Sequence, residues 1–275
     1  MAFLLSSPTP YTFEDHRMSA SETKIEIRNL TMAYGSYVVM RDINAEVKRG
    51  SVFVIMGNSG SGKSTLLRHM LGLQRPAQGD VLYDGMSFWG MDDEGRGAQL
   101  RKYGVLFQSG ALWSSMTLAE NVALPLIAYT DWTPSDREDI VRLKLALVGL
   151  SGFEDYYPSD ISGGMRKRAG LARAMALDPE ILFFDEPSAG LDPISSRNLD
   201  ALILELRDGL GATIVVVTHE LASIFTIADD SIFLDAGSRT MRAQGNPKEL
   251  LEHSNDAKLK AFLTRSEFSE QGATS

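Results

Sequence analysis

Four short, almost uninterrupted apolar runs punctuate the chain: VFVIM at 52–56, VLF at 105–107, ILFF at 181–184 and IVVV at 214–217. Strands of a parallel sheet look like this, because helices cover both faces and no solvent-facing side is left to alternate with. VLF runs into Gln108, ILFF into Asp185, and IVVV into Thr218 and His219. Stretches with helical spacing lie between them. They are KSTLLRHMLGL from Lys63, SSRNLDALILELRDGL from Ser195 and LASIFTIA from Leu221. In the second, Leu199, Leu202, Ile203 and Leu206 share a face, and Gly209 and Gly211 stand where a helix stop is expected. Strand alternating with helix predicts an α/β fold around a mainly parallel sheet.

Two segments break the alternation. KIEIRNLTMAYG, YVVMRDINAEVKRG and GDVLYDG predict antiparallel strands with turns, a small β lobe beside the first parallel strand. Residues from 109 to about 165 are helical by pattern, with SDREDIVRLKLALVGL capped at Ser135. At the end, NPKELLEHSNDAKLKAFLTRSEF (246–268) predicts a helix starting at Pro247, with Leu250, Leu251, Leu259, Phe262 and Leu263 as its apolar positions. A surface helix and an arm reaching a second copy both fit that pattern. The expected organisation is a flexible lead-in at 1–23, one domain over 24–245, and a helical tail at 246–275.

Composition narrows the function classes. With 44% hydrophobic and 23% charged residues and only 10 prolines in 275, the chain can bury a large core. A net charge of -9 disfavours unspecific nucleic-acid binding, although Arg166, Lys167 and Arg168 form a local basic patch in sequence. There is no cysteine, so neither a disulfide nor a thiolate metal site can form, which fits a reducing compartment. The first 22 residues lack a basic start and soon turn acidic, so no secretory signal is expected. The nearest candidate for a membrane span, ALPLIAY at 123–129, is far short of the roughly 18 apolar residues required.

The chemistry begins after the first apolar run. Gly57, Asn58, Ser59, Gly60, Ser61, Gly62, Lys63, Ser64 and Thr65 form a G-x-x-x-x-G-K-S phosphate loop between a strand and a helix. The glycines let backbone amides point at phosphate oxygens, Lys63 reaches the outer phosphates, and the Ser64 hydroxyl suits Mg2+. Asp185 and Glu186 follow ILFF; upstream of them the phosphate loop turns an ordinary acidic strand end into a metal contact and a water-polarising carboxylate. Gln108 and His219 follow other buried strands, and all four positions should meet at one sheet edge, where ligands of open α/β sheets bind. A second anion-binding pattern, SDISGGMRKRAG at 159–170, sets Ser162, Gly163 and Gly164 before a basic helical stretch. One nucleotide does not need two cradles.

Taken in order, Tyr34, GNSGSGKST, Gln108, ISGGM, ILFFDE, SAGLDP and His219 resemble the ATP-binding cassette (ABC) ATPase family, over about residues 24–245. The resemblance implies a P-loop fold with a RecA-like mainly parallel core, an antiparallel β-subdomain and a helical signature subdomain. It implies ATP and Mg2+ as ligands, with Tyr34 stacking on adenine and Ser64, Gln108 and Asp185 at the metal. Glu186 and His219 would act at the terminal phosphate with Lys63 and Gln108, and Asp192 would lie in the loop that communicates between sites. It also implies a head-to-tail homodimer, in which Ser162, Gly163 and Gly164 of one chain cover the nucleotide of the other, answering why there are two cradles. Met165 and Ile161 stand where the family more often has glutamine and leucine. With VLFQSGALWSSMTLAENVALPL, the methionine-containing run looks like the ATPases of Mla and Mce-type lipid transport systems. That likeness implies an integral membrane permease, a Mce-type lipid-binding protein, lipid cargo, no nucleic acid, and a peripheral place on the cytoplasmic face of the bacterial inner membrane. Another ABC importer or exporter is the alternative; a non-transport ABC protein normally carries two cassettes, and a plain P-loop kinase or GTPase leaves SDISGGMRKRAG without a role.

Overall fold

The computed structural model describes residues 22–266, so nearly all of the expected flexible lead-in, and the end of the tail, lie outside the described residues. The strands are β1 (Thr23–Tyr34), β2 (Tyr37–Lys48), β3 (Val52–Gly57), β4 (Gln78–Tyr83), β5 (Met86–Ser87), β6 (Tyr103–Leu106), β7 (Ile181–Asp185), β8 (Thr213–Val217), β9 (Asp230–Asp235) and β10 (Thr240–Gly245). The helices are α1 (Lys63–Met70), α2 (Asp93–Leu100), α3 (Leu118–Tyr129), α4 (Pro134–Leu147), α5 (Gly163–Ala174), α6 (Pro193–Leu210), α7 (Leu221–Ile227), α8 (Pro247–His253) and α9 (Ala257–Thr264).

Two sheets result. One is antiparallel, in the order β2-β1-β4-β5; the other runs β10-β9-β3-β8-β7-β6, with β9 through β6 parallel and β10 antiparallel at the edge. The four apolar runs are β3, β6, β7 and β8. Alternation along them now has a meaning, since successive side chains point to opposite faces. Val52, Val54, Met56, Leu182, Phe184, Ile214 and Val216 pack under α3 to α7 and α9. Phe53, Ile55, Ile181, Phe183, Val215 and Val217 pack against α1 and the antiparallel sheet. A strand covered on both faces has no reason to alternate in polarity, which is why β3, β7 and β8 read as continuous runs, whereas β6 at the sheet edge has alternating burial.

Register aligns the ends that matter. Ile55 pairs with Val217, Val217 with Asp185, and Phe184 with Leu106. Gly57, Asp185 and the residues after Val217 and Leu106 therefore leave the sheet at one edge.

Several local expectations need correction. Helix α4 is capped by Thr133, not Ser135: its hydroxyl accepts from the Asp136 amide (3.2 Å), and the Asp136 carboxylate accepts from the Thr133 amide (3.1 Å). Pro134 already fits the first helical position, so the cap falls one residue before it; such caps are worth about 1 kcal/mol. Helix α6 likewise starts at Pro193, two residues early, because Asp192 accepts from the Ile194 and Ser195 amides at 3.0 Å. At its other end Gly211 takes the left-handed turn, while Gly209 stays helical. The tail is two helices, broken where Asp256 caps α9 through the Lys258 and Leu259 amides. Nor is α9 a surface helix: Leu259 and Leu263 are buried, and Phe262 stacks 5.2 Å from Phe233. Burying each leucine is worth about 1.5–3 kcal/mol, enough to hold so short a helix in place.

The β lobe is fastened to the core by a buried cation. Lys24 in β1 donates to Asp84 (2.7 Å) and to Glu180, the residue before β7, and Glu180 also meets Lys102 (3.2 Å). Burial pushes the Asp84 and Glu180 carboxyls up, but the hydrogen bonds from Lys24, joined by Arg49 and Lys102 respectively, outweigh it and hold both below the ordinary carboxylate range. Lys24→Met should lower unfolding stability in urea by about 1–3 kcal/mol at neutral pH, since Arg49 and Lys102 remain as partners. Carboxyls depressed in the folded state contribute fully above their unfolded pKa and lose that contribution as pH falls through the folded one. The gap between parent and variant should therefore shrink on acidification below the ordinary carboxylate range. A gap independent of pH would show that Lys24 acts by packing alone.

Candidate active site

Between β3 and α1 the chain turns through three glycines with positive φ: Gly57 (152°), Gly60 (77°) and Gly62 (81°). Gly57 is forced by space as well as conformation. A Cβ there would lie 2.4 Å from the Leu234 carbonyl and 2.6 Å from the Ser61 hydroxyl. Helix α1 has no side-chain cap, so its first amides are free for an anion, and the helix dipole adds to their pull. Lys63 is buried and folds back onto the Gly57 (2.8 Å) and Asn58 (3.1 Å) carbonyls. Burial lowers its pKa, opposed by the nearby Glu186 and Asp185 carboxylates.

This loop floors a cavity of about 1390 Å³. Asn58 to Thr65 line it, together with Gln108, Glu186 and His219. The expected residues from three separate strand ends thus converge. Glu186 has a left-handed backbone (φ 49°), and its Oε1 lies 2.9 Å from His219 Nδ1, while its buried Oε2 and the buried Ser61 hydroxyl lack a partner among the described residues. A neutral imidazole carries one N–H. Donated to Glu186, that proton leaves Nε2 an acceptor, so His219 serves a second anion only by releasing the carboxylate or by carrying a second proton.

The Ser64 hydroxyl donates to Asp185 at 3.3 Å. Burial raises the Asp185 pKa, the Ser64 bond opposes this, and the adjacent Glu186 charge adds to the rise. Among the described residues no three His, Cys, Asp or Glu side chains form a metal site. A hydroxyl and one carboxylate beside a phosphate loop nevertheless suit Mg2+, which takes few protein ligands and completes its shell with water and substrate phosphates. Asp185 and Gln108 also line a smaller cavity of about 530 Å³, which extends to Gly190.

Other expected residues stand apart. Tyr34 is exposed at the tip of the β1–β2 hairpin and does not line the cavity. Ser162 caps α5 through the Met165 amide (3.2 Å), and it and Gly163 are exposed, away from the cavity of their own chain. Asp192 spends its carboxylate on capping α6. The basic patch read from Arg166, Lys167 and Arg168 does not form: Arg166 binds the Ile161 carbonyl (2.8 Å), Arg168 the Val148 carbonyl (3.1 Å), and Lys167 is buried. One wall went unforeseen. Phe262 and Arg265 of the tail line the main cavity, and Arg265 reaches Glu220 at 3.1 Å. Nothing in the tail's own sequence marks it as a neighbour of the phosphate loop.

Comparison with known proteins decides the family. The sequence pattern of the ABC transporter family matches residues 40–189. This chain belongs to the ABC transporter family. It is 41% identical over 239 residues (87% of the chain, 68% of the relative) to the probable ribonucleotide transport ATP-binding protein Mkl of Mycobacterium leprae. It is 38% identical over 243 residues (88% and 91%) to the intermembrane phospholipid transport system ATP-binding protein MlaF of Haemophilus influenzae. The methionine import ATP-binding protein MetN 1 of Rhodococcus jostii is 42% identical over 217 residues (78% and 64%). The chain thus spans about two thirds of Mkl and MetN 1 and nearly all of MlaF. Among solved structures, CbiO1 of Clostridium perfringens superposes with a TM-score of 0.77 at 28% identity, covering 84% of this chain and 92% of CbiO1. The dimeric cassette MJ0796 bound to ADP and Pi gives 0.71 at 29% identity, covering 81% and 98%. The fold is that of an ABC cassette, and the chain is an ATPase of that type.

Two variants separate the loop's shape from its charge. Gly57→Ala should lose ATP binding and lower the melting temperature, because the new carbon collides with the backbone of β9. Lys63→Ala should weaken ATP binding by about tenfold or more through the loss of charge-assisted phosphate contacts, with a smaller thermal cost. Nucleotide titration and thermal melts on both would check this; parent-like affinity in either would remove that residue from the site.

Proposed function

We propose that the chain is the ATP-hydrolysing subunit of a transporter that moves phospholipid or a related lipid across the cell envelope. One observation carries the lipid reading: the relation to MlaF runs over 88% of this chain and 91% of that protein. The relation to MetN 1, though slightly closer in identity, covers 64% of that protein and supports the second reading, an importer of a small solute.

At the site, the amides of 58–65 hold the ATP phosphates and Lys63 leaves the Gly57 and Asn58 carbonyls for the outer ones. Ser64, Asp185 and Gln108 would hold Mg2+ beside the loop, and the ion would supply positive charge against the phosphates. Glu186 uses its unpartnered Oε2 to orient a water and accept its proton. His219 passes from Glu186 to the terminal phosphate, and Tyr34, exposed on its hairpin, stacks on adenine. Ser162, Gly163 and Gly164 do not line the cavity of their own chain, and Ser162 and Gly163 are exposed, which supports their closing over the nucleotide of a second, head-to-tail copy, with Asp192 between the two sites. No helix among the described residues is long and apolar enough to cross a membrane, and the relation to MlaF supports an integral membrane permease as the partner. The cytoplasmic face of the bacterial inner membrane is the place we assign to the cassettes, with a Mce-type lipid-binding protein as the remaining partner.

Purifying the tagged chain from membranes of its own host should bring down a polytopic membrane subunit with phospholipid bound to it. A permease without lipid, in a complex whose ATPase responds to methionine, would favour the importer. The shared site has its own test. Ser162→Arg and Lys63→Ala should each abolish hydrolysis, and mixing them should restore activity, because every mixed dimer regains one intact composite site, about a quarter of all sites under random pairing. A fully active Ser162→Arg would end the shared-site reading.

A further inference from the structure

Lys167 lies in the second turn of α5 and is only 6% exposed. Its ammonium group meets three backbone carbonyls of one short turn: Glu186 (3.2 Å), Pro187 (2.6 Å) and Ala189 (2.7 Å). An ammonium has three N–H donors, so these three contacts use its full capacity. Burying a cation against carbonyls alone is a costly way to fill space, and an apolar side chain of the same length would fill it more cheaply.

The turn it grips carries Glu186, whose backbone is left-handed although it is not glycine. Such a conformation persists only where the surroundings over-determine it. Here the Glu186 amide donates to the Val217 carbonyl (2.8 Å), the Ala189 amide donates back to the Glu186 carbonyl (3.2 Å), and Lys167 holds that same carbonyl from the helical side. The consequence is directional. With the backbone turned this way, the Glu186 side chain lines the phosphate cavity and meets His219.

We propose that Lys167 is a positioning residue for hydrolysis, holding the 186–189 turn so that the Glu186 carboxylate faces the phosphate cavity, and tying that turn to the helix that begins at Ser162. The proposal rests on Glu186 being the residue that activates water. It makes one ammonium the mechanical link between the helix start proposed to sense the partner's nucleotide and the carboxylate that acts on the chain's own.

The test is a kinetic double-mutant cycle on the purified full chain, with melting temperatures recorded for every variant. Lys167→Met keeps the length of the side chain and removes its donors. It should lower kcat by about tenfold to 10²-fold while leaving the KM and the binding constant for ATP within about threefold. Lys167→Arg, which keeps charge and donors, should recover most of that loss. On a Glu186→Gln background, Lys167→Met should cost almost nothing further, since no base remains to be aimed. Lys167→Gln goes through the same cycle, so the answer does not depend on the methionine variant being soluble. Parent-like kcat in Lys167→Met and Lys167→Gln with an inactive Glu186→Gln would overturn the role of Lys167 alone. So would losses that add to that of Glu186→Gln. Parent-like hydrolysis by Glu186→Gln would overturn the assignment of Glu186 and, with it, this proposal.

Discussion

At the end of β3 the Gly57 backbone passes so near the neighbouring strand that a side-chain carbon would sit 2.4 Å from the Leu234 carbonyl. This contact sets the exit of the phosphate loop. It fixes where the loop's amides start to curl and where α1 begins, and α1 in turn packs Leu66, Leu67 and Met70 into the cluster shared by the core sheet and the β lobe. A loop that offers backbone amides to an anion has no side chains to repair a misplaced turn. Its accuracy comes from the rigidity of the buried strands on either side, β8 and all but the first residue of β9, to which β3 is paired.

Buried lysines do much of the joining between the parts. Lys24 links the β lobe to the residue before β7, Lys144 of α4 meets Asp178, Lys63 braces the phosphate loop, and Lys167 braces the turn after β7. Each has a long apolar stem that packs in a core and a compact head that can be turned onto carbonyls or carboxylates. A chain with net charge -9 thus keeps several of its cations inside, where they fix geometry. Two of them, Lys63 and Lys167, hold backbone carbonyls, and both lie within reach of Glu186's charge.

Much of this was legible in the chain. Three of the apolar runs became the buried strands β3, β7 and β8, because a strand covered on both faces needs no alternation and carries its signal in every residue; VLF overlaps only the end of the edge strand β6, whose burial alternates. The glycines and lysine of the phosphate loop were legible for a related reason: backbone curvature and phosphate charge demand particular residues at fixed spacing. Caps were read less well. Thr133 and Asp192 each lie two or three residues before the predicted start, since an N-cap is chosen by which hydroxyl or carboxylate meets a free amide, and several neighbours in each stretch could. The tail was misread because its pattern shows an apolar face but not what covers it. Leu259 and Leu263 become core residues only through Phe233 and its neighbours, which come from β9.

By itself the sequence determined the class of fold, the phosphate loop and the set of strand-end residues that could serve it. These are local matters of hydrophobic period, backbone freedom and side-chain chemistry. Tertiary structure decided which of those residues meet. Register across β6, β7, β8 and β3 brings Gln108, Glu186 and His219 to one edge, and the carbonyls around α5 turned a basic stretch into three separate backbone braces. Lys167 is the plainest instance. Its spacing from Ser162 is written in the chain, but its partners lie about twenty residues further along, on a turn that only the packing of α5 against the end of β7 places within reach of its ammonium.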